Sequence, residues 1–460
     1  MRMCTHVIEL GVLGLMLVAA LSAVLIYTVI GFVPGTDETS VLYPISLALV
    51  LTGANPMIVL TFFIAAIVTL NLTNTMPTAL VCLPGGVMSS PMIEHAIAVK
   101  AKGRSAEVIQ KMAAASAIGV AISVPIALVI ANLIIPFAQN IRDYAAYLFV
   151  FGAIFLSLTS RHKLVSLVSI VPLAMLFMSL RHLYWGVGAV PETRVVTVSF
   201  FLGITIGPLL VSLFRLMNRR LLNEVKVDAN KTIVVPSEAN KKRTLNPFKL
   251  LSKEERRFAS VSAVLANFLF VLSPVGLTIL IGQAAGARAK RQEDRADVTM
   301  TTMSALIQAT YMSGIVIPLL ALGLALSPVA LGPGAALFNT PPYFTIDHNI
   351  HHILSGWQFT VAVVLGAFVA MTLSYVLISR YAKPITMFIL RRIPHEAVLG
   401  VFIAFIVLLA YMDAGLINVF GVLLVGLVCG TLNKMGVNYG VQFMSLYAAP
   451  TLIGFLLGVF

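Results

Sequence analysis

"LNLTNTMPTALVCLPGG", residues 70–86, decides how the chain is read. It continues an apolar run, crowds Asn71, Thr73, Asn74, Thr75 and Thr78 into little more than two helical turns, and ends on Pro84-Gly85-Gly86. Polar side chains at that density do not suit a helix built to face lipid. Irregular backbone is tolerated at membrane depth only where it is buried in protein or lines a cavity. Three other stretches carry the same kind of interruption. "GFVPGTDETS" (31–40) follows the first apolar run, "VLSPVGLT" (271–278) lies early in the second half, and "VIPLLALGLALSPVALGPG" (316–334) closes on Gly332-Pro333-Gly334.

The rest of the chain supports a membrane setting. Of its 460 residues, 59% are hydrophobic and 11% charged, against about 25% charged in a soluble domain. The mean hydropathy is +0.97. Folded in water, such a chain would expose too much apolar surface. This composition excludes a soluble enzyme, a disordered chain and a secreted disulfide scaffold. The apolar runs are long, unlike the ~10-residue alternating segments of a β-barrel. The expected fold is therefore all-α: a polytopic membrane protein with roughly ten to twelve transmembrane helices and several broken or re-entrant segments. The run from Val7 to Val33 is long enough to span a bilayer and too long for a cleaved signal peptide. Cys4, Cys82 and Cys429 show neither metal-ligand spacing nor a paired framework.

Charge sets the orientation. The net charge of +13 sits in short loops: Lys100, Lys102, Arg104 and Lys111; Arg161 and Lys163; the stretch 215–257; and Arg380, Lys383, Arg391 and Arg392. Loops of this kind face the cytoplasm. No basic stripe with interleaved aromatics exists, so no nucleic-acid partner is expected. Arg288, Lys290, Arg291 and Arg295 also look cytoplasmic. That requires the segment just before them to turn back inside the membrane, or one crossing to be miscounted. The long polar stretch 223–257 divides the chain into a first membrane half, 1–222, a cytoplasmic basic linker, 223–257, and a second membrane half, 258–460. Two such halves suggest an internal repeat of the transporter kind.

No Walker loop, zinc-protease helix or G-x-S-x-G elbow occurs, so no catalytic residue is expected. Any transport would draw on an ion gradient or on another subunit. A broken helix leaves free N–H groups and a positive dipole end that bind an anion without any Arg, and free carbonyls at a C-terminal end suit Na⁺. Candidate substrate contacts near the breaks are Thr36; Asn71, Thr73, Asn74 and Thr75; Thr302, Ser304 and Gln308; and Ser327. Asp37 and Glu38 are candidates for coupling to Na⁺ or H⁺, unless they are solvated acids of an outward loop. The polar residues of 71–78 and 299–313 could equally serve helix–helix hydrogen bonding and a kinked packing helix. No cofactor and no resident metal are expected. "TIDHNIHH" (345–352) could chelate a metal through Asp347/His351 or His348/His352 if helical. Its place in an outward loop after Pro341-Pro342 suggests an interfacial loop instead. Asp413 reads as a turn between helices rather than an acid within one.

Three segments carry a family resemblance. They are 84–122, from Pro-Gly through the basic K-G-R loop to a small-residue helix; 314–334; and 416–458, with Gly421, Gly426, Gly436 and then "PTLIGFLLG". Together they resemble the large membrane subunit of the tripartite tricarboxylate transporters, the TctA type. The sequence departs from that pattern at "PGTDETS", "SPVGLT", "TTMSALIQAT" and "LALSPV". The resemblance implies an ion-coupled permease in the bacterial inner membrane that imports di- or tricarboxylates. A small four-helix membrane subunit and a periplasmic solute-binding protein would be its partners. It also implies that Pro34, Gly35, Pro84, Gly85, Pro318 and Gly323 lie near the translocation pathway. The other readings are an integral membrane enzyme acting on envelope or lipid-linked substrates through the 347–352 cluster, and a channel or scaffold subunit.

Overall fold

The computed structural model describes residues 10–33, 36, 38–82, 85–160, 162–191, 197–217, 246–392 and 395–458. Away from water, backbone N–H and C=O groups must pair within the protein, and a helix does this locally. The described residues form helices, with two isolated bridges, Thr340–Phe344 and Thr345–His348, as the only extended pairing among them. The chain is an all-α polytopic membrane protein. Among the described residues, seven helices are long and apolar enough to cross a membrane: Leu10–Gly31, Pro56–Val81, Ser105–Ile141, Lys163–Gly186, Gln292–Ala321, Gly356–Phe388 and Gly400–Lys434. The last of these folds back on itself. Ala414 and Gly415 are non-helical, and the Asn418 amide donates to the Ala410 carbonyl at 2.7 Å. In a straight helix those residues would be about 12 Å apart. Asp413 thus sits at a turn between two helical legs, where it accepts a hydrogen bond from the Ser199 hydroxyl.

The buried centre is made by two helices that carry polar residues inside apolar runs. Pro56–Thr73 and Arg295–Ala321 are almost wholly enclosed. Each packs on a helix from the other half of the chain: 295–321 on Ser105–Ile134, and 56–73 on Gly356–Arg392. Further out, Thr197–Met217 packs on His395–Lys434, and Tyr439–Leu456 packs on Ala145–Thr159 and Lys163–Gly186. Small residues permit the closest crossing. A Cβ on Gly430 would stand 2.3 Å from the Gly207 carbonyl oxygen, so the backbones touch there, as in other membrane helix pairs. The periphery presents large apolar side chains such as Leu25, Val168, Met175 and Phe368 outward, as a lipid-facing surface does.

Two helices of 14 residues, Pro274–Ala287 and Glu38–Leu51, do not cross. Lys253–Phe268 and Pro274–Ala287 form a hairpin with its ends together, where the Lys290 amide donates to Glu254 Oε1 at 3.1 Å. Arg288 and Lys290 return to the basic face because the chain turns back at 269–273, one of the two outcomes their charge required. On the same face Asp297 accepts from Arg104 at 2.6 Å and from Lys111 at 2.9 Å, while Lys111 also reaches Glu255 at 3.0 Å. The Glu107 side chain bonded to Arg104 holds its guanidinium above the ordinary arginine range. The second short helix, Glu38–Leu51, runs the other way. It starts beside Asn74, at the far end of 56–73, and leads back to Gly53, which packs against Tyr343. Tyr343 belongs to the loop that closes over the distal end of 295–321. Each short helix has 14 residues, about 21 Å of rise against a ~30 Å hydrocarbon core.

Candidate functional site

The two 14-residue helices enter from opposite faces and end at one cavity. Glu38 and Thr39 open the first helix, Ser273, Pro274 and Val275 open the second, and all five line a cavity of about 280 Å³. The start of a third helix, Asn438, Tyr439 and Gly440, lines it as well, with Tyr311, Asn433 and the break at Pro328, Val329 and Pro333. The volume lies near the lower end of the roughly 300–1,000 Å³ typical of ligand pockets. The described lining contains no lysine or arginine. Ser273 Oγ caps Gly276 N at 3.4 Å and Asn438 Oδ1 caps Val441 N at 2.9 Å, so one N–H of each of these termini is already satisfied by its own cap. Three helix N-termini give the cavity a positive potential without any cationic side chain.

Glu38 is the exception in charge. Its carboxyl is buried, and Asn74 Nδ2 donates to its Oε1 at 3.0 Å. Asn74 also donates to the Thr36 carbonyl at 3.4 Å, and Thr36 Oγ1 donates to Asn74 Oδ1 at 3.4 Å. The chain at Gly85-Gly86 presses against this group. A Cβ on Gly85 would lie 1.8 Å from the Asn74 carbonyl oxygen, and one on Gly86 would lie 2.2 Å from Asn74 Nδ2. Only glycine fits, which is the physical content of the Pro-Gly-Gly motif here. The break itself is made by Asn74 and Thr75, between Pro56–Thr73 and Met76–Val81. Thr75 donates back to the Leu72 carbonyl at 2.8 Å.

The structure draws Thr36, Glu38, Asn74 and Gly85 into one cluster and sets the other candidates elsewhere. Pro34, Gly35, Asp37 and Pro84 lie outside the described residues. Thr73 donates to the Tyr27 carbonyl at 3.1 Å and joins two helices. Gln308 Nε2 donates to the Val68 carbonyl at 3.0 Å, across the same central crossing. Ser304 bonds within its own helix at 2.9 Å. Asn71 and the Thr302 hydroxyl are buried without hydrogen-bond partners among the described residues. Pro318 stays inside the helix 295–321, whose end falls at Leu322. Gly323, at φ +64°, lies under Asn349 and His351 on the far side, and Ser327 caps the turn Pro328–Leu331 beside the cavity.

The outward histidine segment is a clasp. Asn349 Nδ2 donates to the Gly323 carbonyl at 2.8 Å, and His351 Nδ1 lies 2.8 Å from the Leu320 carbonyl. Asp347 and His348 fall outside its single helical turn, Ile350–Ile353, so the helical spacing needed for chelation is absent. Tyr311, Asn433, Asn438 and Tyr439 line the site without having been singled out from sequence. Asn438 carried a legible signal, an asparagine one residue before an apolar helix. Asn433 carried none.

A cavity fed by helix ends from both faces of a helical membrane protein is the arrangement of a membrane transporter rather than of a soluble enzyme. The family comparison gives the particular kind. The model of the tripartite tricarboxylate transporter TctA family matches residues 17–441, and the chain belongs to that family. It is thus a component of a tripartite transporter, multi-pass in the membrane. No curated protein and no solved structure matches it.

Proposed function

We propose that the chain is the permease subunit of a secondary transporter that imports small organic anions, di- or tricarboxylates, driven by an ion gradient. The observation that carries this reading is the cavity at the meeting point of helix N-termini from opposite faces, with no basic side chain in its described lining. A carboxylate there would be held by N–H groups of the helix ends and by Thr39, Ser273, Asn433 and Asn438. Neutral donors of this kind bind an anion and still release it.

The halves 1–222 and 258–460 act as two repeats of opposite orientation, joined by the linker 223–257. In support, 38–51 and 274–287 have equal lengths and opposed directions, and the central packing is reciprocal: 295–321 on 105–134, and 356–392 on 56–73. Rocking of one half against the other around the fixed cavity gives alternating access. The basic face is cytoplasmic, and the membrane is the bacterial inner membrane. A small four-helix membrane subunit and a periplasmic solute-binding protein complete the assembly, the latter delivering substrate to the face carrying the 339–355 loop.

The test is uptake of labelled citrate and succinate into vesicles containing the full assembly, with and without an imposed Na⁺ or H⁺ gradient. Accumulation above equilibrium supports the proposal. Its absence under every gradient, with substrate-loaded receptor present, refutes it.

A further inference from the structure

We propose that the first half of helix 163–186 holds an anionic phospholipid, with one acyl chain in an apolar groove and the phosphate at Lys163. This site stands whatever the central cavity carries. A second cavity, about 650 Å³ in volume, opens on the side of the bundle. Leu164, Val168, Pro172 and Leu176 form one wall, and Val428 and Leu432, from the second leg of 395–434, form the other. Leu164 and Val168 are largely exposed, so the groove faces lipid. Ser169 is the only polar side chain in its described lining, and the Ser169 hydroxyl donates to the Ser166 carbonyl at 2.8 Å. Nothing polar in that lining is left for a polar ligand.

Length selects an acyl chain over a partner helix. From Leu164 to Leu176 the helix rises about 18 Å, close to the ~15 Å of hydrocarbon in one leaflet. The helix continues to Gly186, but the groove does not. Gly421 lies directly against the Tyr184 hydroxyl, with no room for a Cβ, so the two helices touch beyond the groove. A transmembrane helix would need a strip reaching both faces, whereas an acyl chain needs one leaflet. Apolar contact alone gives no preference, because a chain in the groove only replaces other chains of the bilayer. Selectivity has to come from the headgroup.

Positive charge stands where that headgroup would lie. The His162 ring packs against Gly436, which brings the start of helix 163–186 to the end of the leg that carries Leu432. Lys163 and Lys434 are both exposed at this end. The segments 155–165 and 428–440 contain no aspartate or glutamate to oppose them. Helix 163–186 also begins without a side-chain cap, which adds potential of the same sign. Arg161 lies outside the described residues. Basic residues between helices at the cytoplasmic surface suit an anionic lipid headgroup. Leu432 lines the groove while Asn433 lines the central cavity, so the lipid rests against the back of that cavity's wall.

The experiment uses the full-length protein, stripped of lipid in detergent, and native mass spectrometry with phosphatidylglycerol or phosphatidylcholine of identical chains. The wild type should hold one phosphatidylglycerol about twentyfold more tightly than phosphatidylcholine, as two lysines at roughly fivefold each give. Lys163→Gln should weaken that binding by about fivefold. Val168→Trp fills the groove and should remove the tightly held lipid while leaving both lysines in place. Both positions are exposed, so the two variants should melt with the wild type. In membranes, a photoreactive residue at position 168 should label phospholipid. Equal retention of the two lipids overturns the proposal, and so does a preference that survives both substitutions. Capture of a membrane subunit or of a second copy of this chain at position 168 also overturns it and makes the groove a protein contact.

Discussion

Alanine at position 86 tests the cluster around Asn74 most directly. The new Cβ would lie 2.2 Å from Asn74 Nδ2, 2.6 Å from Glu38 Oε1 and 2.8 Å from the Thr36 carbonyl oxygen, where ordinary contact begins at 3.4 Å. Asn74 must therefore retreat by about an ångström, and its 3.0 Å bond to Glu38 is carried past the ~3.5 Å limit of a real hydrogen bond. Leaving a buried polar pair unsatisfied costs about 1–3 kcal/mol. Overpacking against a backbone carbonyl that cannot rotate away adds about 1–3 kcal/mol. Gly86→Ala should thus destabilise the protein by about 2–6 kcal/mol, read as a lowered midpoint in thermal unfolding followed by circular dichroism in detergent. Asn74→Ala removes the closest atom. In that background the same alanine should cost at least ~1 kcal/mol less than in the wild type. If Gly86→Ala melts with the wild type, or if the two changes add within ~0.5 kcal/mol, the packing argument is wrong.

Three further outcomes follow from the same geometry. Lys111→Met takes the lysine from Glu255 and leaves Asp297 with Arg104 alone, both carboxylates being almost fully buried, and should cost about 3–5 kcal/mol; pairing it with Glu255→Gln should recover part of that loss in the same melt. Gly430→Leu forces apart backbones that now touch at Gly207; it should cost more than about 3 kcal/mol, and a wild-type elution profile and melting curve would contradict this. Asn349→Ala removes bonds to the Gly323 and Phe338 carbonyls at 2.8 and 3.2 Å, worth about 1–3 kcal/mol. Limited proteolysis should then cut the 339–355 loop faster, while global stability changes little.

Much of the fold was legible because the membrane allows few solutions. Apolar runs of about 20 residues must be helices there, and Lys and Arg mark the cytoplasmic loops. The cluster Arg288, Lys290, Arg291 and Arg295 is the clearest instance. Its charge demanded a turn-back before it or a miscounted crossing, and the 253–287 hairpin supplies the turn-back. Asp413 was legible for a similar reason, since a lone acid beside Ala-Gly between two apolar runs marks a turn. The site was legible only in part. Asn74 and Gly85 stood out as a polar cluster followed by glycine in apolar sequence. Thr73 went elsewhere, because residues one position apart point to different helix faces, and Asn71, one turn before Asn74, finds no hydrogen-bond partner among the described residues.

The amino-acid order by itself determined the class of protein, the all-helical fold, the basic face and the places where helices break, since each follows from local burial of peptide groups in lipid. Tertiary structure alone decided that the breaks at 38, 273, 328 and 438 meet at one cavity, that Glu38 turns inward to Asn74 rather than outward to water, and that Asn349 and His351 clasp the Gly323 and Leu320 carbonyls. Those outcomes depend on which helix crosses which. That is set by small-residue contacts between segments some two hundred residues apart, such as Gly207 with Gly430, and no periodicity within a single helix encodes its partner.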